Sequence, residues 1–329
     1  MTTHHSPPAV RPLARLNPYF FKYKRLFVPG LLFAMVSAAF SVAVPIVVRE
    51  AVDGIPRFVA LYNVYGGTEV QGYFYASFFF GLFLFGIIIL GLSLISGVFS
   101  FLMRQTVVVA SRHIEFDLRN ALYEHLQHLS QNFYRKYSTG DMIARATSDI
   151  ENVRRYIGPA IMYVVRALVI IVVAMTVMLI ISPKLTLYAL IPMPFLAVAV
   201  FYMAHMAHSR SDAIQEQYSK LTSRVQEALS GIRVLKAYTR EESEARAFEG
   251  ESATYRQRNL DLALVDAGFR PVFLLLIGLS EIIVVWLGGQ LAAAGTITIG
   301  NIAEYMIYVA YMTWPVASMG FVITMVQRA

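Results

Sequence analysis

The chain has 329 residues, 57% of them apolar and 15% charged, with 28 basic against 21 acidic side chains and a formal net charge of +7. A mean hydropathy of +0.55 is outside the range of ordinary soluble domains. The basic surplus is spread by position along the chain, which makes a nucleic-acid patch the weaker reading, and the lack of cysteine removes disulfides, thiolate metal sites and a Cys nucleophile.

The first 25 residues carry no apolar signal core followed by a small-residue cleavage site, and His4 with His5 are too few for a purification tag. Residues 1–25 read as a cytoplasmic tail, disordered as far as Pro12, leading into a short interfacial elbow helix. Between Arg11 and Arg25 the aromatic residues Tyr19, Phe20, Phe21 and Tyr23 alternate with Lys22, Lys24 and Arg25, which suits a helix lying among cytoplasmic headgroups.

Six apolar stretches follow, from Leu26 to Val48, Phe74 to Met103, Ile157 to Ile181, Leu185 to Met206, Pro271 to Ala294 and Ile302 to Val326. Each reaches the ~20 residues that a helix rising ~1.5 Å per residue needs to cross ~30 Å of hydrocarbon. Basic residues stay on the cytoplasmic side. Five precede the first stretch and two fall in the next gap, nine run from Arg104 to Arg166, one is in the third gap, ten run from Arg210 to Arg270, none is in the fifth gap, and Arg328 stands at the end. The expected architecture is therefore an all-α membrane protein of six spans, both termini and the second and fourth connections in the cytoplasm, in the cell inner (plasma) membrane.

Those two connections are long and poor in helix breakers. No Gly or Pro occurs between Gly97 and Gly140, and Ile114, Leu118, Leu122, Leu126 and Leu129 recur at three or four residues, as on one face of a helix that continues past the membrane. From Phe195 to Ser230 the same holds, with Leu221, Val225 and Leu229 as the expected stripe. About 30 residues beyond the membrane would project ~45 Å. By contrast Ser182-Pro183-Lys184 and Gly295 to Gly300 are short turns on the other side. Each long hairpin has a break at its tip. In the first, Gly140 is expected to end one helix and Asp141 to cap the next. In the second, Gly231 precedes Ile232 to Tyr238 and the charged run Arg240, Glu241, Glu242, Glu244.

The tips also carry a resemblance. Asp117-Leu118-Arg119, Tyr123, Leu126, Phe133-Tyr134, Thr139-Gly140-Asp141, Ile143, Arg145 and Ser148-Asp149 are similar to the first intracellular loop of ATP-binding-cassette (ABC) exporters. Glu227, Gly231-Ile232, Val234, Lys236, Tyr238 and Glu241 resemble the second loop, and Pro45 with Asp53 fits the same pattern. The resemblance runs from about Leu13 to the end. It implies an exporter-type transmembrane domain over 26–329, moving lipophilic or amphipathic molecules such as drugs or lipids by alternating access. It also implies that short coupling helices at the tips seat in nucleotide-binding domains, and that a second transmembrane domain, identical or different, completes the pair. On this sequence the first coupling helix is expected near Phe133, Tyr134, Arg135, Lys136, Tyr137, Ser138 and Thr139, followed by Gly140 and Asp141. The second is expected near Tyr238, Thr239, Arg240, Glu241, Glu242 and Glu244, to Ala245.

No Lys is preceded by Gly, so the G-x-x-x-x-G-K-[ST] phosphate loop is absent from these residues. The resemblance therefore leads to the expectation that a nucleotide-binding domain follows Ala329 on the natural polypeptide and has been removed. ATP and Mg belong to that full-length transporter, and this chain alone is not expected to be an enzyme or to carry a cofactor or metal.

Ionisable groups in hydrocarbon cost about 2.5–3.5 kcal/mol each and need a partner or a wet surface. Glu281, 14 residues before Gly295, stands ~21 Å from the outer end of its helix, either facing a central cavity that attracts cationic amphiphiles or paired with Arg166 or Gln290. Arg166 is expected to snorkel toward the inner boundary, and Glu304 to be reached by water. Tyr305, Tyr308 and Met312 share one face of the last span and form the candidate cavity wall with Glu281. Pro192, Pro194 and Pro315 are expected to kink their spans, Phe78, Phe79, Phe80 and Phe83 to face lipid or packing, and His125 with His128 to be solvated rather than metal ligands. Two other classes remain open from sequence: a secondary transporter or channel using Glu281 for ion coupling, and a membrane scaffold whose tips bind a different protein.

Overall fold

The computed structural model describes residues 16–65, 67 and 70–328, with side chains described as far as Pro315 but not at Val70. The expected tail up to Arg15, with His4 and His5, lies outside the described residues. Twelve α-helices and no strands occur among them: α1 Asn17–Lys22, α2 Lys24–Val64, α3 Val70–Gln127, α4 Gln131–Lys136, α5 Thr139–Ala144, α6 Ile150–Arg155, α7 Ile161–Ile181, α8 Pro183–Leu190, α9 Pro192–Ser230, α10 Ile232–Ala237, α11 Glu241–Ala293 and α12 Ile299–Arg328. Five helical stretches are long and apolar enough to cross a membrane: Lys24–Val64, Gln71–Gln127, Thr139–Ile181, Pro183–Ser230 and Glu241–Ala293. The sixth expected span falls on α12, a 30-residue helix whose side chains are described only in its first half.

Two compact units divide the chain, Met1–Leu187 with Val284–Ala329, and Tyr188–Ile283. In the first, α2 packs along α3, and α7 and α12 pack on α2. Ser37, Ser41 and Ser96 join α2 to α3, the Ser37 hydroxyl donating to the Ser96 carbonyl at 3.0 Å and Ser41 Oγ lying 2.8 Å from Ser96 Oγ. Small serines permit close approach and still satisfy their own polar atoms, as helices in lipid require. The outward faces keep their large apolar residues exposed, among them Phe80, Phe83, Leu90 and Leu94 on α3. The most apolar window of Gln71–Gln127 has none of its residues buried inside the chain, which leaves lipid as the medium that covers it. A multi-pass membrane protein follows.

The helix of 58 residues that contains this window would measure ~87 Å, so it runs unbroken well past ~30 Å of hydrocarbon. Beyond the apolar part its expected stripe packs inward: Ile114 is buried and Leu118, Leu122, Leu126 and Leu129 are half-buried, while Phe116 and Tyr123 point out. Met103, Val107, Ala110 and Ile114 of α3 form a core with Phe27, Ala34, Ile157 and Met162. The elbow helix α1 docks onto this end through charge. Lys22 Nζ lies 2.6 Å from Asp117 Oδ2, which also accepts from the Tyr23 hydroxyl at 2.8 Å, and the Tyr23 ring stacks on His113. The bond from Lys22 holds the Asp117 carboxyl below the usual carboxylate range.

After the first tip a helical stretch runs from Thr139 to Ile181, interrupted by two π turns, Arg145–Asp149 and Tyr156–Ala160. Pro159 has no N–H to donate, so a helix passing through it loses a bond, and the wider turn sits at that point. Gly158 lets this turn approach α3: a Cβ there would fall 2.7 Å from Ser111 Oγ. Between the two turns lies an ion cluster. Glu115 of α3, buried, is met by Arg119 at 2.8 Å, Arg112 at 2.9 Å and Arg154 of α6 at 3.5 Å. Arg154, buried too, also bonds Glu151 through both its Nε and Nη2.

The second unit is a helical hairpin. Gln217 of α9 donates to the Glu251 carbonyl at 3.1 Å and to its carboxylate, Arg224 bonds Glu244 at 2.7 Å, Arg210 meets Asp261 at 3.5 Å, and Arg258 donates to the Ala213 carbonyl. Partners that rise along α9 as they fall along α11 define an antiparallel pair, in register back from the tip. The expected apolar stripe is corrected here. Ile214 and Gln217 are buried and Leu221, Arg224 and Ala228 half-buried, whereas Val225 and Leu229 are exposed, because polar pairs hold this hairpin and turn those two outward. The break expected here falls at Pro192, since α8 ends at Leu190 and α9 starts with Pro192, and Pro194 lies inside the first turn of α9. The helix containing Pro315 is continuous through it.

Replacing Glu115 by Gln should lower stability by about 2 kcal/mol, since Arg154 stays buried with one charge partner fewer; thermal unfolding in detergent measures it, and an unchanged midpoint would contradict the role given to the cluster. The Arg154 bond also holds Glu151 down to about 2 from an ordinary 4.5. A depressed carboxyl contributes stability above its unfolded value and loses it as pH falls, so stability should drop between pH 4.5 and pH 2, and less in a Glu151→Gln variant.

Candidate functional site

Both hairpin tips are built as short helices set off by sharp breaks. At the first, α3 stops at Gln127, α4 spans Gln131–Lys136, and Tyr137 and Ser138 are extended before α5 begins at Thr139. The cap differs from expectation. Ser138 is the N-cap, accepting from the Asp141 amide at 3.2 Å, so Gly140 and Asp141 already belong to the first turn of α5. Ser138 has the extended backbone that a cap requires, and Asp141 instead supplies negative charge to the helix start and pairs with Arg145 at 3.2 Å. Phe133 packs against Tyr134 and Tyr137, and the Tyr134 hydroxyl donates to the Leu126 carbonyl, fixing α4 against the end of α3. Arg135, Lys136, Thr139 and Gly140 are exposed. The short helix expected near Phe133 to Thr139 is thus α4, displaced toward the N-terminus and closed by the extended pair.

At the second tip the short helix is α10, Ile232–Ala237, earlier in the chain than the expected Tyr238 to Ala245. Tyr238, Thr239 and Arg240 form its terminating turn, and Glu241, Glu242 and Glu244 lie in the first turn of α11, where the helix dipole favours acidic side chains. The Arg240 amide donates to the Leu235 carbonyl at 3.0 Å and the Thr239 amide to the Lys236 carbonyl at 3.2 Å, with Thr239 left-handed at φ 54. This double bond pattern ends a helix best with glycine at the left-handed position, and a β-branched Thr there is strained. Beside it a polar groove of about 540 Å³ is lined by Lys220, Arg224, Glu227, Leu235 and Glu244, among others. His125 and His128 are exposed, and among the described residues no group of three or more His, Asp or Glu could hold a metal ion.

The candidate cavity wall is corrected. Tyr305, Tyr308 and Met312 are all buried within the first unit. The Tyr305 hydroxyl donates to the Met178 carbonyl at 2.5 Å and lies 3.0 Å from both the Ser182 carbonyl and Thr186 Oγ1. The Tyr308 hydroxyl lies 3.1 Å from both the Val42 carbonyl and Glu304 Oε1. A phenol at membrane depth needs a partner, and here helices α2, α7 and α8 supply it, so the two rings bind helices together. Glu304, expected to be wet, is fully buried, with Arg49 and Asn301 each 3.4 Å from its Oε2. Asp53 completes this end of the molecule: it accepts from the Gly300 amide at 2.7 Å and the Thr298 hydroxyl at 2.6 Å. Thr298 and Asn301 cap α12 reciprocally. A Cβ on Gly300 would fall 2.6 Å from the Asp53 carboxyl carbon, so only glycine admits the contact.

A cavity of about 540 Å³ does open in this unit, on other residues. Its lining is Ser41, Arg104, Tyr163, Arg166, Ala167, Ile170, Ala310, Tyr311, Trp314 and Pro315. Arg166 donates to Ser100 Oγ at 3.4 Å, and the Tyr163 and Trp314 rings stand 6.2 Å apart. Glu281 is half-buried in the second unit and makes no hydrogen bond or ion pair among the described residues. The arginine cavity lacked a sequence signal, since one basic residue on each of two spans stands out only when the spans are brought together.

The family model for the ABC transporter transmembrane region matches residues 27–316, and the chain belongs to that family. Among its relatives, the protein named Uncharacterized ABC transporter ATP-binding protein YknU from Bacillus subtilis (strain 168) is 27% identical over 96% of this chain and 51% of the relative. Probable multidrug resistance ABC transporter ATP-binding/permease protein YheI of the same organism is 32% identical over 70% of this chain and 40% of its own length. Multidrug resistance-like ATP-binding protein MdlA from Escherichia coli (strain K12) is 28% identical, with 72% and 40% covered. The chain spans about half or less of the length of these relatives.

Replacing Thr239 by Gly should raise stability by about 1 kcal/mol by relieving the left-handed strain, while Thr239→Val should not, both read from thermal unfolding. Tyr308→Phe should cost about 1–3 kcal/mol, because the buried Glu304 loses a hydrogen-bond partner; a melting curve matching the parent would remove Tyr308 from the set of helix ties.

Proposed function

We propose that this chain is the membrane-spanning translocation domain of an ATP-driven exporter of lipophilic or amphipathic small molecules, working by alternating access. Residues 26–329 form that domain, and residues 1–25 are its tail and elbow. The reading rests on one observation above others: the long helices α3, α9 and α11 carry apolar spans on into charged hairpins that end in short, separate helices, α4 and α10. A span that needed only to cross the bilayer would end near it. Such extensions suit the transfer of force between a cytoplasmic partner and the membrane.

On this reading the partners are nucleotide-binding domains on the same natural polypeptide, which bind ATP and Mg and make the full-length protein an ATPase. Their contact residues are Phe133 to Asp141 at one tip and Tyr238 to Glu244 at the other. A second transmembrane domain, identical or related, completes the pathway, in the plasma membrane with both termini cytoplasmic. The names of the relatives, which join multidrug resistance with ATP binding, support the substrate class.

The test uses the full-length transporter in proteoliposomes loaded with ATP and a lipophilic dye. Reversing charge at Glu241, Glu242 and Glu244, or replacing Tyr137 by Ala, should leave basal ATP hydrolysis within about twofold while dye transport falls about tenfold or more, a change worth ~1.4 kcal/mol per decade. Dye movement that follows an imposed ion gradient without ATP would overturn the proposal in favour of a secondary transporter. Transport indifferent to both tips would remove the coupling role.

A further inference from the structure

Arg104 and Arg166 line one cavity, and the helices around it offer them no carboxylate. There is no Asp or Glu between Phe27 and Arg49, between Val70 and Ile114, between Asn152 and Ser211, or after Glu304. These stretches include every lining residue. Arg166 has one neutral partner, Ser100 Oγ at 3.4 Å, and Arg104 makes no hydrogen bond or ion pair among the described residues. Arg104 is exposed, but Arg166 is half-buried, and a half-buried guanidinium beside apolar spans would ordinarily find a counter-charge, since an unpaired ion next to hydrocarbon is costly. Two other arginines of this unit that are not exposed do pair: Arg49 meets Glu50 and Glu304, and Arg154 meets Glu151 and Glu115.

The remaining walls have a different character. Ala167, Ile170, Ala310 and the Tyr163 and Trp314 rings form an apolar side, and Tyr311 and Ser41 add hydroxyls. At about 540 Å³ the space falls in the range of small-molecule sites. We infer that this cavity binds anionic amphiphiles, the phosphate or other anionic head on Arg104 and Arg166 and the apolar part against the aromatic side. The planar, permanently charged guanidinium suits a phosphate, which can take two parallel N–H bonds from it. This narrows the substrate class of the exporter reading and rests on it, and it departs from the cationic class that Glu281 alone would suggest.

Binding is tested on the full chain in a nonionic detergent. The protein has two tryptophans, so Trp286→Phe leaves Trp314, in the cavity wall, as the single reporter. Dioctanoyl phosphatidic acid, dioctanoyl phosphatidylcholine, a cationic amphiphile of equal chain length and inorganic phosphate are titrated in turn. The expected result is a saturable change in Trp314 emission for phosphatidic acid at an affinity about tenfold or more above that of the other two amphiphiles, with no competition from inorganic phosphate at equal concentration. Arg104→Gln and Arg166→Gln should each weaken phosphatidic acid about tenfold and leave phosphatidylcholine unchanged.

Equal affinity for the three amphiphiles on the unsubstituted arginines would overturn the inference, whatever the variants do. Full competition by inorganic phosphate would assign the site to a free anion and overturn the amphiphile. In the full-length transporter, ATP-driven movement of a neutral dye that phosphatidic acid does not inhibit would sink the substrate role and leave the exporter reading intact. Loss of all ATP-driven movement would remove the exporter reading while the binding preference stood on its own.

Discussion

In hydrocarbon a polar group cannot turn to water, so each must find its partner inside the protein. Much of the first unit follows from that constraint. Asp53, Glu304, Tyr305 and Tyr308 are polar groups on or beside apolar spans, and each has at least one bonding partner outside its own helix. The result ties α12 to α2 through Asp53 and Glu304, and to α7 and α8 through Tyr305. Because the hydrophobic effect cannot draw apolar helices together in lipid, such bonds and the close approach at Gly300 carry more of the packing specificity than apolar contact does.

The same physics places no demand on a helix that leaves the membrane. A helix satisfies its own backbone in either solvent, so α3 and α11 need only change their side chains from apolar to charged as they pass the boundary. What must change is how the emerging helices are held. In the first unit an apolar stripe at Ile114 and Leu118 is backed by the Glu115 and Arg154 cluster; in the second, the α9 and α11 pair is held by Gln217, Arg224 and Arg258 with little buried apolar surface. Both tips then need devices that set short helices apart from their neighbours, and the chain uses a serine cap to start α5 at one tip and a left-handed threonine to end α10 at the other.

This difference explains what was legible from the residues alone. Spans and their unbroken extensions follow from hydropathy and from the missing breakers, both of which are properties of one segment at a time. The Ile114 stripe was legible because it is apolar. The packed face of α9 was not, since Gln217 and Arg224 look like solvent-facing residues until Glu251 and Glu244 are beside them, and Leu221, Val225 and Leu229 offered a more apolar pattern. The tip caps were missed for a related reason. Asp141 and Ser138 are both good caps, and only the extended backbone at Ser138 decides between them. Tyr305 and Tyr308 share a face as expected, but a shared face does not say whether a cavity or another helix lies opposite, and hydroxyls at membrane depth favour the helix.

The neighbouring face of α12 then bears on the cavity. Tyr311 and Trp314 lie on the same unbroken helix as Glu304, ten residues or fewer away, a rise of at most ~15 Å. An α-helix transmits displacement along its axis because its bond ladder is stiff, so α12 cannot shift against α2 at one end without reshaping the cavity at the other. Any such shift also has to break the Asp53 bonds to Thr298 and Gly300, or carry α2 with it. Opening at the capped end and rearrangement around Arg104 and Arg166 are therefore one mechanical event in this unit, divided only if the helix bends at Pro315, where the missing N–H removes a rung from the ladder.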